Sequence, residues 1–299
     1  MDSVRAVKLL VLGGTKFLGR ATVDAALQKG HEITLFNRGQ TNPELFPEAE
    51  KLRGERGNDL SALAGRTWDA VVDTSAYVPQ EARASAEALA NGDSYYLFIS
   101  SVSVYADLSQ PVDEESPLDE PREGQPVDRL LEDFSNYGAL KALCERAVAE
   151  GFGGPTGIVR PGLIVGPHDP TGRFTYWPHR VARGGEILAP RPSESQVQFI
   201  DVRDLGEWIV DLCEQRVEGA FNAANRDVTW DALLDTCREV AGSDAQIVWV
   251  DPEFLIEQEV GQWMELPMWL HEDVGIHATD VSRAVGAGLT FRPLAETIR

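Results

Sequence analysis

A chain of 299 residues, 43% hydrophobic and 25% charged, can bury a sizeable core as one large domain or two intimate lobes. Its 48 acidic residues against 27 lysines and arginines give a net charge of −21. That argues against nucleic acid and anionic membranes as partners, since both are bound through Lys/Arg clusters.

The apolar stretch in MDSVRAVKLLVLGG ends in a glycine loop rather than a small-residue cleavage site, and no apolar run reaches the ~18 residues that span a bilayer. A cytoplasmic protein is expected. AVKLLVL (6–12), short and closed by glycines, reads as a buried strand. KFLGRATVDAALQKG (16–30) has Phe17, Leu18, Ala21, Ala25, Ala26 and Leu27 near helical spacing and stops at Gly30. Further strands are expected at 31–37, 68–75, 94–100 and 156–162. Helices are expected at 79–92, with Pro79 at the start and Gly92 after the end, and at 135–151, capped by Ser135 or Asn136 and ended by Gly151. This alternation predicts an α/β fold, a Rossmann-type doubly wound parallel sheet that binds ligands at the carboxyl ends of its strands.

VQFIDVRDL (197–205) and GAFNAAN (219–225) read as short strands returning to that sheet. Residues 1–162 then form the dinucleotide-binding domain, rejoined by 197–225. Residues 163–196 and 226–299 are expected to build a smaller C-terminal substrate lobe over the cleft. The acidic, Pro-rich loop 106–128 is expected to be a mobile surface loop near the cleft mouth. Cys144, Cys213 and Cys237 lack the spacing of a disulfide framework and read as small core residues.

VLGGTKFLGR (11–20) lies between a strand and a helix, where a glycine loop cradles a dinucleotide. Gly13 permits the tight turn, Gly14 keeps side chains off the pyrophosphate, and Gly19 allows close helix–strand packing. The helix N-terminus, Thr15 to Leu18 through Phe17, offers free N–H groups to phosphate. Lys16, where such loops usually carry glycine, adds a cation at the rim. At the end of the second strand, Asn37–Arg38 has no carboxylate to repel a 2′-phosphate and a guanidinium to pair with one, so NADP is expected ahead of NAD. Asp59, beside Leu60, is placed to take up the adenine amino group. Thr74, Ser75, Ala76 and Pro161, at strand ends, are expected along the cofactor.

YGALK sets Tyr137 and Lys141 four apart on one helix face. An ammonium beside a phenol of pKa near 10 stabilises the phenolate, so the tyrosine can exchange a proton with a substrate oxygen as hydride moves to or from nicotinamide. Ser100, Ser101 and Ser103, in ISSVSVY, end the fourth strand beside that site, and a hydroxyl there can stabilise developing charge.

With GGTKFLG, the Ser101 strand end, YGALK, RPGLIVGP and FIDVRDL, the chain resembles the extended short-chain dehydrogenase/reductase family, the NAD-dependent epimerase/dehydratase group, over roughly residues 6–225. Within it, GGTxFLG with LFNRG is similar to a subgroup of bacterial proteins and chloroplast stem-loop-binding relatives. The resemblance implies Ser101 as the catalytic hydroxyl, Tyr137 as acid/base, and Lys141 binding the nicotinamide ribose and tuning Tyr137. It also implies a homodimer formed through the YxxxK helix and the helix before it. The family's dehydratases carry an Asp-Glu pair where this chain has Val102 and Ser103, which speaks against water elimination. Leu163 and Val197 replace an asparagine and an arginine that help hold the nucleotide of nucleotide sugars. Tyr77, Ser103, Arg173, Tyr176 and His179 are candidates for a different substrate wall.

The five histidines show no metal-ligand spacing and there is no GxSxG nucleophile, so no metal is expected. His31 reads as structural, and Trp263 and Trp269 as core. The leading expectation is an NADP(H)-dependent oxidoreductase acting at a secondary alcohol or ketone of a sugar-like small molecule. Its alternatives are a sugar or nucleotide-sugar epimerase that retains its cofactor, and a non-catalytic nucleotide- or RNA-binding protein.

Overall fold

The computed structural model describes residues 6–90, 93–225, 227–271 and 274–299. β1 (Lys8–Leu12) leads through α1 (Phe17–Gln28) to β2 (Glu32–Asn37), β3 (Glu50–Arg53) and β4 (Ala70–Asp73). Next come α2 (Pro79–Leu89), β5 (Tyr95–Ile99), α3 (Tyr137–Phe152) and β6 (Thr156–Pro161). The second half holds β7 (Ile164–Val165), α4 (Tyr176–Ala182), β8 (Glu186–Pro190), β9 (Ile200–Asp201), α5 (Val202–Gln215), β10 (Gly219–Ala223), α6 (Trp230–Ala241) and β11 (Gln246–Val250).

Seven strands form one parallel sheet in the order β10-β6-β5-β4-β1-β2-β3. β1 shows why. Leu9 and Val11 join Ile33 and Leu35 under α1 and α5, while Leu10 and Leu12 join Val71 and Phe98 under α2 and α3. Successive side chains of a strand face opposite ways, so one apolar throughout must be covered on both faces. Each such leucine contributes about 2 kcal/mol on burial. The strand order reverses between β1 and β4, which opens a crevice at the carboxyl ends.

Several expectations need correction. β3 was not foreseen: EKLR has no apolar alternation, and it pairs on one side only, with β2, where its charges suit an edge. Segment 197–205 does not return to the large sheet. Ile200–Asp201 pair with Ile164–Val165, and the chain then turns into α5. The Asp201 carboxylate caps that helix by accepting the Arg203 N–H at 2.9 Å, and Val202, Leu205, Ile209 and Leu212 form its buried stripe. Residues 219–223 do rejoin the sheet, beside β6.

Loop 106–128 is anchored, because Val112 is buried and the Glu114 carboxylate accepts the Asn222 N–H at 2.8 Å. α3 starts at Tyr137 with Asn136 in the N-cap position, but the Asn136 side chain makes no capping bond. That buried amide instead accepts the Leu131 N–H at 3.0 Å and donates to the Pro126 and Arg129 carbonyls at 2.9 Å. α3 ends at Phe152, with Gly153 left-handed after it. The expected end of α2 at Asn91–Gly92 lies outside the described residues.

A separate apolar cluster in the C-terminal half centres on Trp177 and Trp230, whose rings cross edge-on at 4.9 Å. Trp269 is buried in it and Trp263 partly so. The three cysteines are free and buried. His31 accepts the Val7 N–H at 3.3 Å and lies 2.8 Å from the Glu214 carboxylate, a brace between β1 and α5. Among the described residues no helix is long and apolar enough to cross a membrane.

Candidate active site

A cleft of about 690 Å³ crosses the carboxyl ends of β1, β2, β4, β5 and β6, room for a dinucleotide and a small molecule. The glycine loop forms one wall. Gly13 has φ +110°, and a Cβ there would lie 2.7 Å from Thr74 Oγ1; at Gly19 it would lie 2.8 Å from the Gly14 nitrogen. Only hydrogen lets the loop and α1 close onto the strand end. Thr15, Lys16, Phe17 and Leu18 continue the wall. Phe17 opens α1 at φ +40°, a constrained conformation for an aromatic residue. No side chain caps this helix, so its first N–H groups remain available to a phosphate. Ser100 Oγ is buried at the cleft floor with no hydrogen-bond partner among the described residues. The glycine cradle, the uncapped helix and this orphaned hydroxyl all fit a bound dinucleotide.

At the outer end, Asn37 Nδ2 donates to the Gly13 carbonyl at 2.7 Å, while its oxygen accepts from Gly39 N–H at 2.9 Å and from Arg53. Arg38 lies on the rim, its side chain 62% exposed and 3.9 Å from Glu55. Asp59 and Leu60 do not line the cleft. A tight turn, with the Asp59 N–H on the Glu55 carbonyl, folds Asp59 back. Its carboxylate accepts the Ser61 hydroxyl at 2.6 Å and N–H at 3.0 Å, which holds its pKa down. Glu55 and Arg56 line the cleft instead. They follow β3 after Gly54, and β3 is the strand that periodicity does not reveal.

Arg56 grips Asp73, at the end of β4, through two hydrogen bonds of 2.7 and 3.0 Å. The Tyr96 hydroxyl (2.8 Å) and Ser75 N–H (3.1 Å) also donate to this fully buried carboxylate. Burial alone would raise the Asp73 pKa, but Arg56 and the other donors hold it below the usual range. Thr74 and Ser75 line the cleft and donate to the Leu12 carbonyl at 2.9 and 3.2 Å. Ala76 is buried behind the wall and contributes its carbonyl.

Ser101, Tyr137 and Lys141 meet in the same cleft, with Tyr77 and Pro161 beside them. α3 reaches the strand end because residue 138 is glycine: a Cβ there would lie 2.0 Å from the Ser103 carbonyl oxygen. The Ser101 hydroxyl accepts the Ser103 N–H and donates to the Ser103 hydroxyl, both at 3.1 Å. Ser103 itself is off the cleft wall. Burial pushes the Tyr137 phenol up to about 12; Tyr77 adds to this, and the hydrogen-bonding Ser101 hydroxyl pulls it back.

Lys141 is buried. Its ammonium donates to the Ile99 carbonyl at 2.6 Å and the Ala76 carbonyl at 2.9 Å, 4.3 Å from the Phe98 ring centre. Desolvation lowers its pKa to about 8. The expected lowering of Tyr137 by Lys141 is therefore overridden in this geometry, where burial dominates and the ammonium protons point into those two carbonyls.

Arg173, Tyr176 and His179 stand beyond the cleft wall, in the segment whose Ile164 and Pro170 form its edge. The Arg173 guanidinium stacks 5.1 Å from the Trp263 ring centre, Tyr176 packs edge-on against Trp177 at 5.0 Å, and His179 is exposed on α4.

The chloroplast stem-loop binding protein of 41 kDa b of Arabidopsis thaliana is 26% identical over 275 residues, 82% of this chain and 66% of that protein. The chain thus spans just under two thirds of that relative. Two solved structures share the fold. The Bordetella bronchiseptica enzyme WbmG in complex with NAD and UDP has a TM-score of 0.68 at 18% identity, covering 98% of this chain and 93% of its own. The human epimerase family protein SDR39U1 (isoform 2) with NADPH has a TM-score of 0.65 at 18% identity, covering 97% of each chain. Residues 61–224, more than half of the sequence, match one family directly: this chain belongs to the NAD dependent epimerase/dehydratase family.

Proposed function

We propose that the chain moves hydride between a nicotinamide cofactor, NADP(H) ahead of NAD(H), and a secondary alcohol or ketone of a sugar-like small molecule. The observation that carries this reading is the one cleft joining the glycine loop to Ser101, Tyr137 and Lys141. Gly13, Thr15 and the N-terminal N–H groups of α1 would hold the pyrophosphate. Asn37 and Arg38 would hold the adenosine ribose, and Lys141 and Pro161 would flank the nicotinamide. When bound, the cofactor supplies the hydride donor or acceptor.

Tyr137 Oη gives a proton to, or takes one from, the substrate oxygen, and the Ser101 hydroxyl donates to that same oxygen. A phenol near pKa 12 is held protonated, ready to protonate an alkoxide. To act as a base it needs the Lys141 ammonium turned toward it. A pKa of about 8 leaves most Lys141 charged at neutral pH for that purpose. Arg38, with no carboxylate in the Asn37 position, supports the NADP preference.

Family membership favours a second reading in which the same groups return the hydride to the opposite face, so that the product is an epimer and the cofactor never leaves. Purification without added nucleotide, denaturation and chromatography of what is released would separate the two. Stoichiometric nucleotide supports the epimerase. An empty protein that binds NADPH more tightly than NADH supports the reductase. A protein that neither retains nor binds a nicotinamide nucleotide overturns both.

A further inference from the structure

Arg173 is half-buried, yet among the described residues its guanidinium has no ion pair and no hydrogen bond. Asp169, the acid whose charge reaches it, makes no ion pair with it: Oδ1 accepts both the N–H and the hydroxyl of Thr171 at 2.8 Å, and Oδ2 is buried without a hydrogen-bond partner among the described residues. The guanidinium lies instead over Trp263, a residue with φ +66°. A bulky residue in that conformation is strained and persists where its surroundings enforce it. Stacking covers one face of the guanidinium and strips it of water, but leaves its N–H edge free for a planar or tetrahedral oxyanion. Burial correspondingly lowers the Arg173 pKa, opposed in part by the Asp169 charge.

Pro170 lines the cleft and Arg173 follows three residues later, at most about 10 Å of chain away. An acidic protein gives this position no general attraction for anions, so recognition there must be local. We infer that Arg173, on its Trp263 platform, binds a carboxylate or phosphate monoester of the substrate, which makes the substrate an acidic sugar or a sugar phosphate. This rests on the proposed hydride transfer only for the word substrate; the anion subsite stands on its own geometry.

The test is calorimetric titration of the purified protein with glucuronate, glucose 6-phosphate, neutral glucose and UDP. It compares the wild type with R173Q, R173K and W263F, each checked for an unchanged melting curve. The wild type is expected to bind glucuronate or glucose 6-phosphate, and which of the two binds identifies the acid group. R173Q should bind that probe about tenfold more weakly or worse, with R173K between, and glucose should show no dependence on residue 173. The inference is overturned if neither acidic probe binds, if R173Q binds it as well as the wild type, or if only UDP is affected. Y137F should keep the anion affinity, so failure of turnover and failure of the subsite can be told apart.

Discussion

At the floor of the cleft each charge has its partners. Asp73 is held by Arg56, Tyr96 and the Ser75 N–H, and Lys141 by the Ile99 and Ala76 carbonyls. At the rim Arg38 comes no nearer than 3.9 Å to Glu55, and Arg173 rests on a ring rather than an acid. The floor is built on ends of buried strands, where an uncompensated charge costs several kcal/mol. Arg38 is in contact with water, where a free guanidinium costs little, whereas Arg173 is half-buried and its ring contact takes the place of part of its water. On the proposed function, chemistry falls to the preorganised part and selectivity to the open part.

The most severe way to break the floor is chemical. Y137F should lower kcat by about 10²–10⁴-fold, since it removes the proposed proton-transfer group, while cofactor affinity measured by nucleotide fluorescence stays close to wild type. Next is electrostatic: R56L leaves the Asp73 carboxylate buried and unpaired, which should cost about 3–5 kcal/mol in a urea melt. The folded Asp73 pKa is depressed in the wild type, so its contribution is present above the ordinary carboxylate range and lost as pH falls through the folded value. The R56L deficit should accordingly narrow below about pH 4; a deficit that does not depend on pH would show that lost packing, not charge, is responsible.

G138A tests geometry. Its methyl would press on the Ser103 carbonyl and push α3 outward, so kcat should drop by about 10²-fold with the cofactor still bound. At the rim, R38A should shift the NADPH-over-NADH preference by about tenfold without moving the melting temperature; unchanged selectivity would remove Arg38 from the ribose site.

The smallest effect sharpens the contrast. Lys141 is carried charged into the interior with its pKa lowered from 10.5 to about 8. K141M should therefore stabilise the fold at pH 7 by about 1 kcal/mol after its two lost hydrogen bonds are allowed for, while activity disappears. A lysine with a depressed folded pKa makes the wild type more stable as pH rises from about 8 to 10.5, so the variant's advantage should fade across that window. A K141M protein less stable than wild type at pH 7 would mean that the carbonyl contacts outweigh desolvation.

Much of the floor was legible in the residues alone. β1 is apolar at every position after Lys8 and so had to be a covered strand. The glycine loop lies between strand and helix, and YGALK sets Tyr137 and Lys141 on one helix face. Asp59 does not reach the cleft wall and Glu55 and Arg56 do, because they follow an edge strand with no apolar period. The start of α5 was misread because the apolar run of VQFIDV hides an N-cap at Asp201.

The sequence by itself determined the layered α/β sheet, the place of the loop and the nearness of Ser101, Tyr137 and Lys141 to the strand ends. Periodicity, glycine and short spacing act within a few residues of chain, so a linear pattern is enough to show them. Only the tertiary structure decided that Arg56 neutralises Asp73, that Lys141 faces the Ile99 and Ala76 carbonyls, and that Arg173 meets Trp263 rather than an acid. Those pairings join residues far apart in the chain, and which of them forms depends on burial and on the direction a side chain leaves its element, neither of which is encoded by spacing along the chain.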